Sequence, residues 1–172
     1  MKKLRLTFFF FIALIALPGL AGVRSEWKAK AVYPGYYRVI GVKDGDTVEI
    51  MLNGSPQSVR LLHIDAPEKK QPYGMAAKQV LSDFCYGKDV ALDGKVSKDR
   101  NGRLLAVLVT RKNVDINASM IVSGYAWHFK KYSKDQYYAN LERQARKQRV
   151  GLWADPNPVA PWDYRASRRK KK

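Results

Sequence analysis

Three short runs, residues 36–42, 47–52 and 59–64, are dense in β-branched and aromatic side chains and are separated by turn-forming residues. Asn53-Gly54 lies between the second and third runs, a dipeptide that tolerates the positive φ of a tight hairpin. This pattern predicts a three-stranded meander. Ala76, Val80, Leu81 and Phe84 then recur at helical spacing between the Pro72/Gly74 entry and Gly87, which predicts a helix over 73–86. Strand character returns at 90–96 and 104–109, on either side of the polar turn Lys98-Asp99-Arg100-Asn101-Gly102-Arg103. Residues 115–122 and 134–150 read as two further helices, the second ended by Gly151. Five strands split three and two, with a helix inserted between the groups and two helices after them, fit an α+β fold: a five-stranded OB-type Greek-key β-barrel with three flanking α-helices. The expected domain runs over 36–165. The Pro-rich stretch 156–161 reads as an extended strap, and the basic residues 166–172 as a tail without structure.

The chain opens Met1-Lys2-Lys3-Leu4-Arg5, continues without charge over 6–17, and reaches Pro18 and small residues around Ala21. That layout is the one a secretory signal peptide has. Residues 1–21 are therefore expected to be removed, which places the protein in the periplasm or outside the cell, with 22–35 as an N-terminal extension. Cleavage after Ser25 is a second possibility. A retained membrane anchor is the alternative, but Pro18, Gly19 and Gly22 interrupt the apolar run as it nears spanning length. The single cysteine, Cys85, excludes an internal disulfide and falls at a spacing from Leu81 that suits a buried core thiol.

The net charge is +17; without Lys2, Lys3 and Arg5 it is +14, and without the five cations of 168–172 a further five less, +9. A body this basic points to a polyanionic partner, because each neutralised phosphate releases counterions. Nucleic acid leads, and an anionic membrane surface is second.

Three acids and two arginines cluster at turns: Asp46 in Lys43-Asp44-Gly45-Asp46-Thr47; Arg60, Asp65 and Glu68 in Arg60-Leu61-Leu62-His63-Ile64-Asp65-Ala66-Pro67-Glu68; and Arg103 after Asp99 and Gly102. Hard divalent cations take oxygen ligands, and a phosphodiester transition state favours fixed positive charge around its equatorial oxygens. Carboxylates with two arginines meet both demands. Arg60 and Asp65 converge only if the chain bends after Ile64. Taken singly, each string also fits a plain structural role, a surface turn for 44–47 and a first-turn helix acid for Glu68. His63, His128, Glu142, Trp153 and Trp162 read as structural residues.

In order and spacing these strings resemble the staphylococcal nuclease (thermonuclease) family over about residues 37–153, with further matches at Asn117, Gly124, Glu142, Ala145 and Gly151-Leu152-Trp153. The resemblance implies Ca²⁺-dependent hydrolysis of DNA and RNA with little sequence specificity, leaving 3′-phosphorylated products. It implies that Asp46, Asp65 and the main-chain carbonyl of Ala66 hold Ca²⁺, that Glu68 is the general base, and that Arg60 and Arg103 clamp the phosphate. Ala66 stands where the best-known member has Thr, a change that a carbonyl ligand survives. Arg100, Trp127 and Tyr132 are the expected substrate contacts, with Tyr132 first and Trp127 second as the ring that stacks on a base. A monomer with no stable protein partner is expected. The rival reading is a non-catalytic nucleic-acid-binding module on the same barrel.

Overall fold

The computed structural model describes residues 33–169. The expected leader, and residues 22–32 of the extension after it, lie outside the described residues. The elements in chain order are β1 (Tyr37–Val42), β2 (Thr47–Leu52), β3 (Ser55–Leu61), β4 (Ile64–Asp65), α1 (Gly74–Cys85), β5 (Asp89–Lys98), β6 (Leu104–Thr110), α2 (Ile116–Val122), β7 (Trp127–His128), α3 (Gln136–Gln148), a 3₁₀ turn (Gly151–Ala154) and α4 (Pro161–Arg169).

β1, β2, β3, β6 and β5 form a closed barrel in that order, and β4 pairs with β7 in a separate two-stranded sheet. β3 and β6 run parallel, whereas the other barrel pairings are antiparallel. Closure leaves the barrel without a free edge, the liability an open sheet of this composition would carry. Alternate residues face inward: Val39, Val48, Ile50, Val59, Leu61, Val90, Leu92, Leu104, Ala106 and Leu108 are all buried. Ala77, Leu81 and Cys85 of α1, Met120 and Ile121 of α2, and Tyr138 of α3 join the same core. The Cys85 thiol is the expected core residue: it donates to the Leu81 carbonyl at 3.0 Å, and burial pushes its pKa up to about 12. Trp127, Ala145, Leu152, Trp153 and Ala160 form a second, smaller core.

The expected barrel is present, with three differences that bear on the site. The third strand begins earlier and stops at Leu61, because His63 adopts a left-handed backbone (φ 68) that turns the chain out of the barrel. Ile64 and Asp65 then pair with His128 and Trp127 instead of continuing β3. There are four α-helices among the described residues, not three. The stretch from 166, expected to lack structure, is helical as far as Arg169, because Pro161 and Trp162 tether the start of α4 to the body.

Asn117 fixes the turn after β3. Fully buried, its side chain accepts from Leu108 N (3.1 Å) and donates to the carbonyls of Leu62 (2.9 Å) and Ala106 (3.2 Å). Asn117→Ala should therefore lower unfolding stability by about 3 kcal/mol in urea titration, since buried main-chain groups lose partners. A loss below about 1 kcal/mol would show that the turn is held by other contacts.

Candidate active site

The turn between β1 and β2 delivers Asp46. Asp44 Oδ1 accepts from Asp46 N at 3.1 Å, an Asx turn that orients the second aspartate. A Cβ at Gly45 would fall 2.7 Å from the Ala66 Cβ and 2.8 Å from the Ala77 Cβ, so glycine allows this turn to lie against the β4 segment and α1. Thr47 Oγ1 donates to Asp46 Oδ1 (3.1 Å), and Ala66 N donates to Asp46 Oδ2 (2.8 Å). Asp46 thus meets Ala66 through the Ala66 N–H, whereas the atom expected on the metal is the Ala66 carbonyl oxygen.

Arg60 joins the second aspartate to the first. Its guanidinium bonds Asp46 Oδ2 at 3.1 Å and Asp65 Oδ1 at 2.9 Å, and it donates to the carbonyls of Leu61 (3.1 Å) and Ile64 (3.0 Å). The bend that brings Arg60 and Asp65 together lies at Leu62-His63, before Ile64 and not after it. Ser133 secures the two-stranded sheet beyond that bend, its hydroxyl lying 2.8 Å from His63 Nδ1 and 2.9 Å from His128 Nε2. Both histidines therefore have the structural role expected of them, and burial holds His128 below its usual pKa.

Glu68 follows on a loop pressed against the start of α1. A Cβ at Gly74 would lie 1.9 Å from the Glu68 carbonyl oxygen, so only glycine permits this approach. Glu68 reaches the cluster through the last residue of the expected domain, to which the sequence reading gave no role. Arg165 of α4 donates to Glu68 Oε1 at 2.8 Å, to Asp65 Oδ2 at 2.7 Å and to Asp65 Oδ1 at 3.3 Å. Burial works against the Arg165 charge, but the bonds to Asp65 and Glu68 outweigh it and hold the guanidinium above its usual pKa. A lone arginine beyond a proline-rich stretch offers no periodic signal. Trp162, placed to anchor a helix, was the available clue.

Arg103 stands apart from this cluster. The β3–β6 register pairs Arg60 with Leu105, so Arg103 lies on the same outward face, two residues or about 7 Å further along the sheet. Its guanidinium is held by Asp99 at 2.8 and 2.9 Å. Burial works to raise the Asp99 carboxyl, yet the hydrogen bonds from Arg103 and from the turn together outweigh it and hold the group below its usual range. Arg100 is exposed in the same turn. Tyr132 is 74% exposed, with its ring edge-on to Phe129 at 4.9 Å. Trp127 is corrected as a base-stacking candidate: it is 7% exposed, packed edge-on to Trp153 and Trp162, and covered by the Arg146 guanidinium at 4.6 Å. Glu142 is buried and ion-paired with both Lys130 and Arg146, rather than lying on the helix surface.

Burial pushes the Asp46 carboxyl up to about 7, with Arg60 opposing and Asp44 and Asp65 adding to the rise. Among the described residues no group of three or more His, Cys, Asp or Glu side chains is arranged to hold a metal ion. The oxygen groups gathered here are instead the Asp46 and Asp65 carboxyls on Arg60, with the Ala66 main chain beside Asp46. An all-oxygen set of this kind suits a hard divalent cation.

Residues 58–155 match the family model described as staphylococcal nuclease homologue. An uncharacterized endonuclease of Haemophilus influenzae is 43% identical over 129 residues, covering 74% of this chain and 71% of the relative. A micrococcal nuclease of Shigella flexneri is 34% identical over 164 residues, covering 90% of this chain and 87% of the relative. Protein ParB of Escherichia coli is also 34% identical over 164 residues, with 90% and 85% covered. The closed mixed barrel, the paired aspartates gathered by Arg60 and these matches together place the chain in the staphylococcal nuclease family.

Proposed function

We propose that this protein hydrolyses the phosphodiester bonds of DNA and RNA with little regard to sequence, uses Ca²⁺, and leaves 3′-phosphorylated ends. The observation that carries the reading is the single guanidinium of Arg60 bound to both Asp46 and Asp65, with Glu68 drawn to the same point. Asp46, Asp65 and the Ala66 carbonyl would hold the cation. When bound, Ca²⁺ supplies Lewis-acid polarisation of a phosphate oxygen and neutralises charge in the transition state. The endonuclease and nuclease names of the relatives support the hydrolysis of nucleic acid.

The chain's own groups divide the remaining work. Glu68, with its side chain 42% exposed, accepts a proton from the attacking water, a role that an ionised carboxylate within hydrogen-bond reach can fill. Arg60 faces the phosphate with an orientation set by three hydrogen bonds and an ion pair, so little reorganisation is needed as charge builds. Arg103 exchanges Asp99 for a phosphate oxygen, and arginine suits this because its planar fork matches two oxygens at once. Arg100 and the exposed ring of Tyr132 contact the strand on either side, and a base can stack on that ring whatever its identity. The basic body supplies sequence-independent attraction to the backbone. The enzyme acts as a monomer with nucleic acid as its partner.

Glu68→Gln should lower turnover by about 10²-fold or more while DNA affinity barely moves, because the amide keeps the size of the side chain and loses the base. Arg103→Ala should lower turnover strongly as well. Ca²⁺ should support faster cleavage than Mg²⁺, which keeps its waters in a strict octahedron. Near-normal cleavage by Glu68→Gln would remove the general-base assignment. A purified wild-type protein that binds DNA without cutting it would favour the non-catalytic module.

We also propose export through residues 1–21, which would put the mature enzyme in the periplasm or the medium. N-terminal sequencing should find a chain starting at Gly22, whereas an uncleaved Met1 start in the membrane fraction would contradict export.

A further inference from the structure

Arg165 comes from α4, which lies beyond the residues matched by the family model. Its position is built rather than incidental. Ala160 and Pro161 are buried, the Trp162 ring stacks on Phe129 at 5.6 Å with 4° between planes, and Tyr164 OH donates to the Lys70 carbonyl at 3.0 Å. Gln71 ties the two segments together: its Oε1 accepts from Glu68 N at 3.1 Å, and its Nε2 donates to the Val159 carbonyl at 2.6 Å. The helix that carries Arg165 and the loop that carries Glu68 are therefore held in one frame.

Asp65 is 1% exposed, and both of its oxygens are already in use. Arg60 takes Oδ1, while Arg165 takes Oδ2 at 2.7 Å and approaches Oδ1 at 3.3 Å. A cation bound to Asp65 would lie beside the Arg165 guanidinium, and two positive centres at such range repel strongly in a partly buried site. Arg60 pairs with Asp46 and Asp65, and Arg165 pairs with Asp65 and Glu68, so removing Arg165 leaves three carboxyl groups with a single guanidinium among them, a gap that a divalent cation suits. The side chain of Arg165 is 34% exposed, so it can turn toward solvent while α4 stays anchored.

We propose that Arg165 is a positioning residue of the hydrolytic site: a tethered guanidinium that neutralises and orients Asp65 and Glu68 before the divalent cation binds, and that the cation must displace from Asp65. This rests on the calcium reading above. The consequence is that the enzyme's own α4 competes with the metal and weakens its affinity.

Calorimetric titration of Ca²⁺ into the metal-stripped mature chain tests this directly. Arg165→Gln removes the competing charge and should bind Ca²⁺ about tenfold more tightly or better than wild type. Arg165→Lys keeps the charge and should stay near the wild-type value, a contrast that a purely structural role would not produce. Trp162→Ala, which loosens α4 without touching a carboxylate, should also tighten binding, and it serves as the deciding variant if Arg165→Gln fails to fold. Equal or weaker Ca²⁺ binding by Arg165→Gln, with wild type binding normally, would overturn the proposal and leave the calcium reading standing. Absence of Ca²⁺ binding in every variant and in wild type would overturn both.

Discussion

The guanidinium of Arg60 is the common partner of Asp46, Asp65 and the carbonyls of Leu61 and Ile64. Those groups come from the β1–β2 turn, from β4 and from the turn that ends β3, so one side chain defines where three pieces of backbone meet. The side chain is 13% exposed, and Asp65 beside it is 1% exposed. Ion pairs this buried contribute little net stability, because desolvation offsets most of the attraction, but breaking one leaves an uncompensated charge. The arrangement is therefore better understood as specifying geometry than as strengthening the fold. The strength comes from the closed barrel and its inward rows of Val, Leu and Ile.

That division explains what could be read from the sequence. The barrel strands were legible because each carries a period-two burial pattern or a continuous apolar run, and α1 and α3 because their buried residues recur at helical spacing. Asp46, Arg60, Asp65 and Glu68 were legible as a set because their residue types suit one chemistry. The break in the third run was not, since Leu62-His63-Ile64 has strand composition throughout and the turn depends on Asn117, far away in sequence. The β4–β7 pair spans two residues on each side, too short for any periodicity. α4 was hidden for a different reason. Its mean composition is strongly polar, and only contacts of Pro161, Trp162 and Tyr164 with distant residues hold it in place.

The same contrast governs the substrate-facing residues. Trp127 and Tyr132 looked alike as candidate stacking rings, yet Trp127 fills a small core beneath Arg146 while Tyr132 projects into solvent. Composition cannot separate a ring that packs from a ring that waits for a ligand, because both are aromatic residues in a basic neighbourhood. Arg103 illustrates a milder form of the problem. The register puts it on the face shared with Arg60, but the Nε and Nη2 edge of its guanidinium already rests on Asp99.

Asp65 is where the two arginines, the loop of Glu68 and the proposed cation site coincide, so Asp65→Asn is the sharpest probe. The measurement is the rate of plasmid DNA hydrolysis at saturating Ca²⁺, with circular dichroism confirming that the variant is folded. Loss of the carboxylate charge should lower that rate by about 10²-fold or more relative to wild type. A folded Asp65→Asn enzyme that cleaves DNA within about threefold of the wild-type rate would mean that the hydrolytic centre lies elsewhere.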